Sequence, residues 1–136
     1  MKIFLDTAHV PDICDRLGTG LIDGITTNPT LIAKSHRKPD DVYHELINCG
    51  IKDISMEVVG NAPEMINEGL RLADLFGDNA TIKVPCTPDG LMACRELARN
   101  HHIRVNVTLI FNSAQAVMAS KAVSYTHLTL PTTPYV

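Results

Sequence analysis

Lys83 lies in Ala80-Thr81-Ile82-Lys83-Val84-Pro85, a short apolar, strand-like run. Burying an ammonium among such neighbours costs free energy unless the group is paired or neutral. A lysine held in that way can give up its proton and attack a carbonyl carbon. The competing reading is a strand lysine whose stem lies on apolar surface while its head reaches solvent. Four other polar residues recur at comparable places in other apolar runs: Asp6, Glu57, Asn106 and Thr108. Two carboxylates, an amide and a hydroxyl around one amine can move protons and hold a water or a substrate hydroxyl.

The elements that must position them are legible from periodicity. Strand-like runs cover Lys2–Asp6, Leu21–Thr26, Asp53–Val58, Ala80–Val84 and Ile103–Thr108. Apolar residues at helical spacing lie between them: Met65, Ile66, Gly69, Leu70, Ala73 and Phe76 in one segment, Leu91, Cys94, Leu97 and Ala98 in another. Thr87-Pro88 predicts a capped helix start, Asn112 a cap for 113–121, and Pro39 the opening of a further helix. Such a βα repeat favours parallel strands joined by right-handed helical crossovers.

Strand parity selects a barrel over an open sheet. An open sheet covered on both faces needs strands that are apolar on both sides. Here Ile82 and Val84 alternate with Thr81 and Lys83, and Ile54, Met56 and Val58 alternate with Ser55 and Glu57. Ile103, Val105 and Val107 alternate with Arg104, Asn106 and Thr108. Alternate side chains point to opposite faces, so Asp6, Glu57, Lys83, Asn106 and Thr108 share one surface, the expected barrel interior. The predicted fold is α/β, of the (β/α)8 TIM-barrel family, with about the first five βα units present. A complete barrel takes about 250 residues, more than the 136 here.

Composition narrows the class. With 45% hydrophobic and 20% charged residues the chain reads as globular, and at net charge −3 neither nucleic acid nor an anionic membrane is an expected partner. There is no apolar run of bilayer length, and the N-terminal residues read as a strand instead of a signal peptide. Cys14, Cys49, Cys86 and Cys94 lack CxxC spacing and are expected to be reduced thiols of a cytoplasmic protein, with neither zinc nor disulfides. His101 and His102 fall in a helix-to-strand connection and are read as solvated, not as a metal site. The Thr- and Pro-rich segment 123–136 has no helical periodicity. It resembles adaptor sequence read through in translation, so residues 1–122 are expected to form the native domain and 123–136 a non-native or disordered tail.

Gly24-Ile25-Thr26-Thr27-Asn28-Pro29-Thr30-Leu31-Ile32 resembles the strand-2 signature of the transaldolase family, including its short fructose-6-phosphate aldolase-like members. The resemblance extends in order through Phe4-Leu5-Asp6-Thr7-Ala8, Glu57-Val58-Val59, Ile82-Lys83-Val84-Pro85 and Asn106-Val107-Thr108-Leu109-Ile110-Phe111. It implies Lys83 as the Schiff-base nucleophile and Asp6 as the acid/base group. Glu57 and Thr108 would hold the water of carbinolamine dehydration, and Asn28, Asn106 and Thr26 would serve the substrate. Implied partners are sugar-phosphate substrates and, in the full-length protein, further copies of the chain; no cofactor or metal is implied. Glutamate at Glu57 resembles transaldolases, glutamine being the aldolase tendency, so dihydroxyacetone transfer from a ketose phosphate to an aldose phosphate is expected. The alternatives are a fructose-6-phosphate aldolase, an inactive barrel fragment, or a sugar-phosphate-binding protein. The family's phosphate-binding serine and arginine have no counterpart after Lys121.

Each role has a structural competitor. Asp6 could cap the first helix and Asn28 the helix opening at Pro29. Glu57 could pair with a surface lysine, Thr108 could be an ordinary strand residue, and Asn106 could satisfy buried backbone groups.

Overall fold

A computed structural model describes residues 2–122; the expectation for 123–136 lies outside the described residues. Five strands alternate with helices: β1 (Phe4–Asp6), α1 (Val10–Leu17), β2 (Gly24–Thr26), α2 (Pro29–Lys34), α3 (Pro39–Asn48), β3 (Ile54–Glu57), α4 (Ala62–Phe76), β4 (Ala80–Pro85), α5 (Pro88–Asn100), β5 (Val105–Thr108) and α6 (Ser113–Ala122). All strand pairs are parallel and the order is β1-β2-β3-β4-β5, so each strand lies beside its neighbour in sequence. This is a half-barrel, a partial (β/α) fold of the TIM type. Within the described residues β1 and β5 are its edges.

Observed strands are shorter than the apolar runs that predict them. β2 is paired only from Gly24, although the run begins at Leu21. Leu21 is exposed, and the Asp23 carboxylate accepts the Ile3 N–H at 2.7 Å, taking the place of a ladder bond there. Gly24 is required by close approach. A Cβ on it would lie 2.3 Å from the Phe4 ring and 2.6 Å from the Asp53 carbonyl oxygen.

Helix starts follow local chemistry. The Thr87 hydroxyl accepts from the Gly90 N–H at 3.1 Å, and the Asn112 side chain from the Gln115 N–H at 2.9 Å, as their sequence contexts predict. α4 starts with a capping box between Asn61 and Glu64. The apolar strand face carries Ile25, Ile54, Met56, Ile82, Val84, Val105 and Val107, all buried beneath Ile13, Leu46, Met65, Ala93 and Leu97 of the helices. Each such aliphatic side chain contributes about 1.5–3 kcal/mol by leaving water.

One expectation is overturned. Cys14 and Cys49 form a disulfide, their Cα atoms 5.8 Å apart. α1 and α3 pack against each other, which brings together two thiols that are 35 residues apart in sequence. Spacing carries no trace of that contact. Cys86 and Cys94 are free.

The opposite strand face is polar and layered. Near the strand N-termini the Asp53 carboxylate accepts from the Thr81 hydroxyl at 2.8 Å and pairs with Arg104 at 3.1 Å. One layer higher, Asn106 Nδ2 donates to Ser55 Oγ at 3.2 Å. The candidate reactive groups stand near the C-terminal ends of the same strands.

Candidate functional site

Register brings the site together. Asp6 is level with Thr26, and Glu57 with Lys83 and then Asn106 across three adjacent strands. All five therefore project from one face near the C-terminal ends of the strands, where barrel sites form.

Lys83 is buried, its side chain 10% exposed. The snorkelling alternative therefore fails. Its Nζ lies 3.2 Å from Glu57 Oε2 and donates to the Thr27 carbonyl oxygen at 3.1 Å. Glu57, 13% exposed, thus pairs with the interior lysine and not with a surface one. The Thr26 hydroxyl donates to Asp6 Oδ1 at 2.9 Å, which fixes the carboxylate beside the lysine's cavity. Asp6 does not cap α1: the N-cap position is His9, which makes no side-chain cap bond. Asn28 does cap α2, its Oδ1 accepting from the Leu31 N–H at 2.9 Å, so its amide is anchored at the rim of the same cavity.

A cavity of ≈ 680 Å³ is lined by Asp6, Asn28, Glu57, Lys83 and Thr108, with Lys34 and Leu109 among the other residues of its wall. Thr26 is bonded to Asp6, while Asn106 is buried against Ser55 and is not among the residues of the cavity wall. A second cavity of ≈ 570 Å³ between α2, α3 and α4 also reaches Glu57; its mouth carries Arg71, which is bonded to Asp40 and Glu68. That guanidinium is held well above its ordinary range, first by its hydrogen bonds to Glu68 and Asp40. His101 and His102 are exposed beyond α5, at the opposite end of the strands, and among the described residues no group of three or more His, Cys, Asp or Glu could hold a metal.

Three residues near the amine escaped the sequence reading as site groups. Ser55 anchors Asn106. Thr27 is fully buried, and its hydroxyl donates to the Ser55 carbonyl oxygen at 3.0 Å. Tyr43 OH lies 3.4 Å from that hydroxyl, and burial is the main cause that pushes the phenol above its ordinary range. Thr27 follows an inward-facing Thr26, so parity sends its side chain toward the helices. Only its position beside Thr26 in the TTNP run hinted at a role.

A parallel half-barrel with a buried lysine paired to a glutamate near its strand C-termini defines the class as a partial (β/α) barrel of the TIM type. A sequence model described as Transaldolase/Fructose-6-phosphate aldolase matches residues 3–132, and the chain belongs to that family. It is 47% identical over 123 residues to a probable transaldolase of Nitrosopumilus maritimus, covering 90% of this chain and 54% of that protein. It is 50% identical to one from Geobacter sulfurreducens and 49% identical to one from Hyphomonas neptunium, in each case over 90% of this chain and 56% of the relative. The chain spans about half the length of the curated relatives it matches. No helix among the described residues is long and apolar enough to cross a membrane.

Proposed function

We propose that the protein acts as a Schiff-base transaldolase, moving a dihydroxyacetone unit from a ketose phosphate to an aldose phosphate. The observation that carries this reading is the buried Lys83 amine, in contact with Glu57 and opening on the cavity that Asp6 lines. The amine adds to the ketose carbonyl, and the carbinolamine loses water with Glu57 and Thr108 handling the proton and the water. The iminium draws electrons from the neighbouring carbon–carbon bond. That bond breaks as Asp6 takes the donor hydroxyl proton, an aldehyde leaves and an enamine stays on Lys83. Addition of the enamine to the acceptor aldehyde runs these steps in reverse, Asp6 returning the proton. Asn28, Asn106 and Thr26 serve the substrate hydroxyls directly or through Asp6.

On this reading the partners are sugar phosphates and further copies of the full-length protein, the setting is carbohydrate metabolism, including the pentose phosphate pathway, and the compartment is the cytoplasm. Borohydride treatment with a ketose phosphate tests it: a reduced adduct on Lys83 is expected, and its absence rejects the mechanism. A coupled assay with and without an aldose acceptor fixes the reaction. Turnover that requires the acceptor is the transaldolase result, while cleavage without it assigns an aldolase.

A further inference from the structure

We infer that Thr27 is a positioning residue for the Lys83 amine, clamped from the helix layer by Tyr43; its role in turnover rests on the Schiff-base reading above. Among the described residues, Lys83 Nζ meets Glu57 Oε2 at 3.2 Å and the Thr27 carbonyl oxygen at 3.1 Å. Glu57 is a flexible side chain, whereas the carbonyl is as fixed as the backbone that carries it.

That backbone lies just beyond the last residue of β2. Its N–H continues the rung pattern set by the Ile25 N–H on the Asp53 carbonyl, and the side chain adds a second bond to the same acceptor. The Thr27 N–H and hydroxyl both donate to the Ser55 carbonyl oxygen, at 3.1 and 3.0 Å. The hydroxyl has a single proton, spent on Ser55, so the phenol of Tyr43 is the donor in the 3.4 Å contact between the two side chains. Tyr43 is itself buried and packs edge-on against Phe76, ring centroids 5.7 Å apart. A continuous path of buried contacts thus runs from α4 through Tyr43 and Thr27 to the amine. Its consequence is directional: the carbonyl aims Nζ along one line, and addition to a bound carbonyl depends on that line.

Opposite responses of two reagents test this. In the 136-residue chain, Thr27→Val keeps the shape of the side chain but removes both hydroxyl bonds. Reductive methylation with formaldehyde and cyanoborohydride, read at Lys83 by peptide mass spectrometry against exposed Lys34, needs no oriented substrate. Freeing Nζ from the carbonyl is expected to raise it about threefold. Borohydride trapping of a ketose phosphate needs the aimed amine and is expected to fall about tenfold with little change in half-saturation. Thr27→Ser restores the hydroxyl and is expected to return both rates to near the parent values, with Tyr43→Phe intermediate. Methylation of Lys83 that is unchanged in a folded Thr27→Val chain, or lost equally in Thr27→Ser, overturns the inference. If the parent chain traps no ketose phosphate, the Schiff-base reading fails, while the methylation result still decides the role of Thr27.

Discussion

Glu57 and Lys83 stand directly opposite each other on β3 and β4, and their charged atoms meet at 3.2 Å with both side chains mostly buried. Their pairing is a consequence of register: a slip of one residue would turn one side chain into the barrel and the other into the helix layer. The pair is sensitive to mutation, because each charge offsets the burial of the other.

Removing one partner should therefore cost more than removing both. Lys83→Met leaves the Glu57 carboxylate buried without its cation and is expected to lower stability by about 3 kcal/mol. Adding Glu57→Gln to it should recover a large part of that loss. Urea unfolding of the two single variants and the double variant checks this, and strictly additive losses would contradict it.

Asp6 and Lys83 should fail at different steps. Lys83→Met is expected to abolish borohydride-trappable adduct. Asp6→Asn keeps the amine and the Thr26 contact position, so the adduct should still form while turnover falls about 10²-fold or more. Mass spectrometry of the trapped protein beside a coupled turnover assay separates the two. Loss of adduct in Asp6→Asn would move Asp6 to an earlier step.

The cysteines should titrate in three groups. Cys14 and Cys49 react only after reduction, and replacing both by serine should cost about 3–4 kcal/mol for their 35-residue separation. Partly exposed Cys86 should react first, though burial raises its pKa and slows it. Burial pushes the Cys94 thiol up to about 12, so it should stay silent until the chain unfolds. The sign of the pH effect follows. The folded state holds its Cys94 proton more tightly than the unfolded chain, whose thiol ionises near about pH 8.5. Stability from this group is full below that pH and is lost as pH rises toward about 12. Tyr43, also raised, adds a loss of the same sign above about pH 10. Thiol counting in native, reduced and denatured protein, with urea midpoints from pH 8 to 11, checks both.

Gly90 should tolerate no side chain. A Cβ there would lie 1.9 Å from the Pro85 carbonyl oxygen, at the turn from β4 into α5 that fixes the end of the Lys83 strand. Gly90→Ala is expected to cost about 3 kcal/mol or more. Gly18→Ala is the control: its backbone is right-handed helical and the nearest atom would be 3.5 Å away, so a change within about 1 kcal/mol of the parent is expected. Thermal unfolding of the two variants compares them.

The half-barrel and much of its candidate site were legible before the structure. Alternation in β3, β4 and β5 separates polar from apolar faces, and that alone puts Glu57, Lys83 and Asn106 on one surface. The caps at Thr87 and Asn112 were readable because they act within three residues. Strand ends were less so: Leu21 belongs to an apolar run, yet pairing starts at Gly24. Asp6 had two readings in sequence, cap or site; the structure removes the cap reading, since His9 holds the N-cap position of α1 and the Asp6 carboxylate accepts instead from the Thr26 hydroxyl at 2.9 Å.

Sequence alone sufficed for the parallel βα order and for the placement of Lys83 on a polar, barrel-facing surface, because these depend on periodicity and residue type. Tertiary structure alone decided the Cys14–Cys49 bond, the Asp53–Arg104 plug at the strand N-termini and the Tyr43–Thr27 clamp on Lys83. Each joins segments separated by between 16 and 56 residues. Such contacts exist only once helices have docked on the sheet, and no local pattern in the chain encodes the distances they bring about.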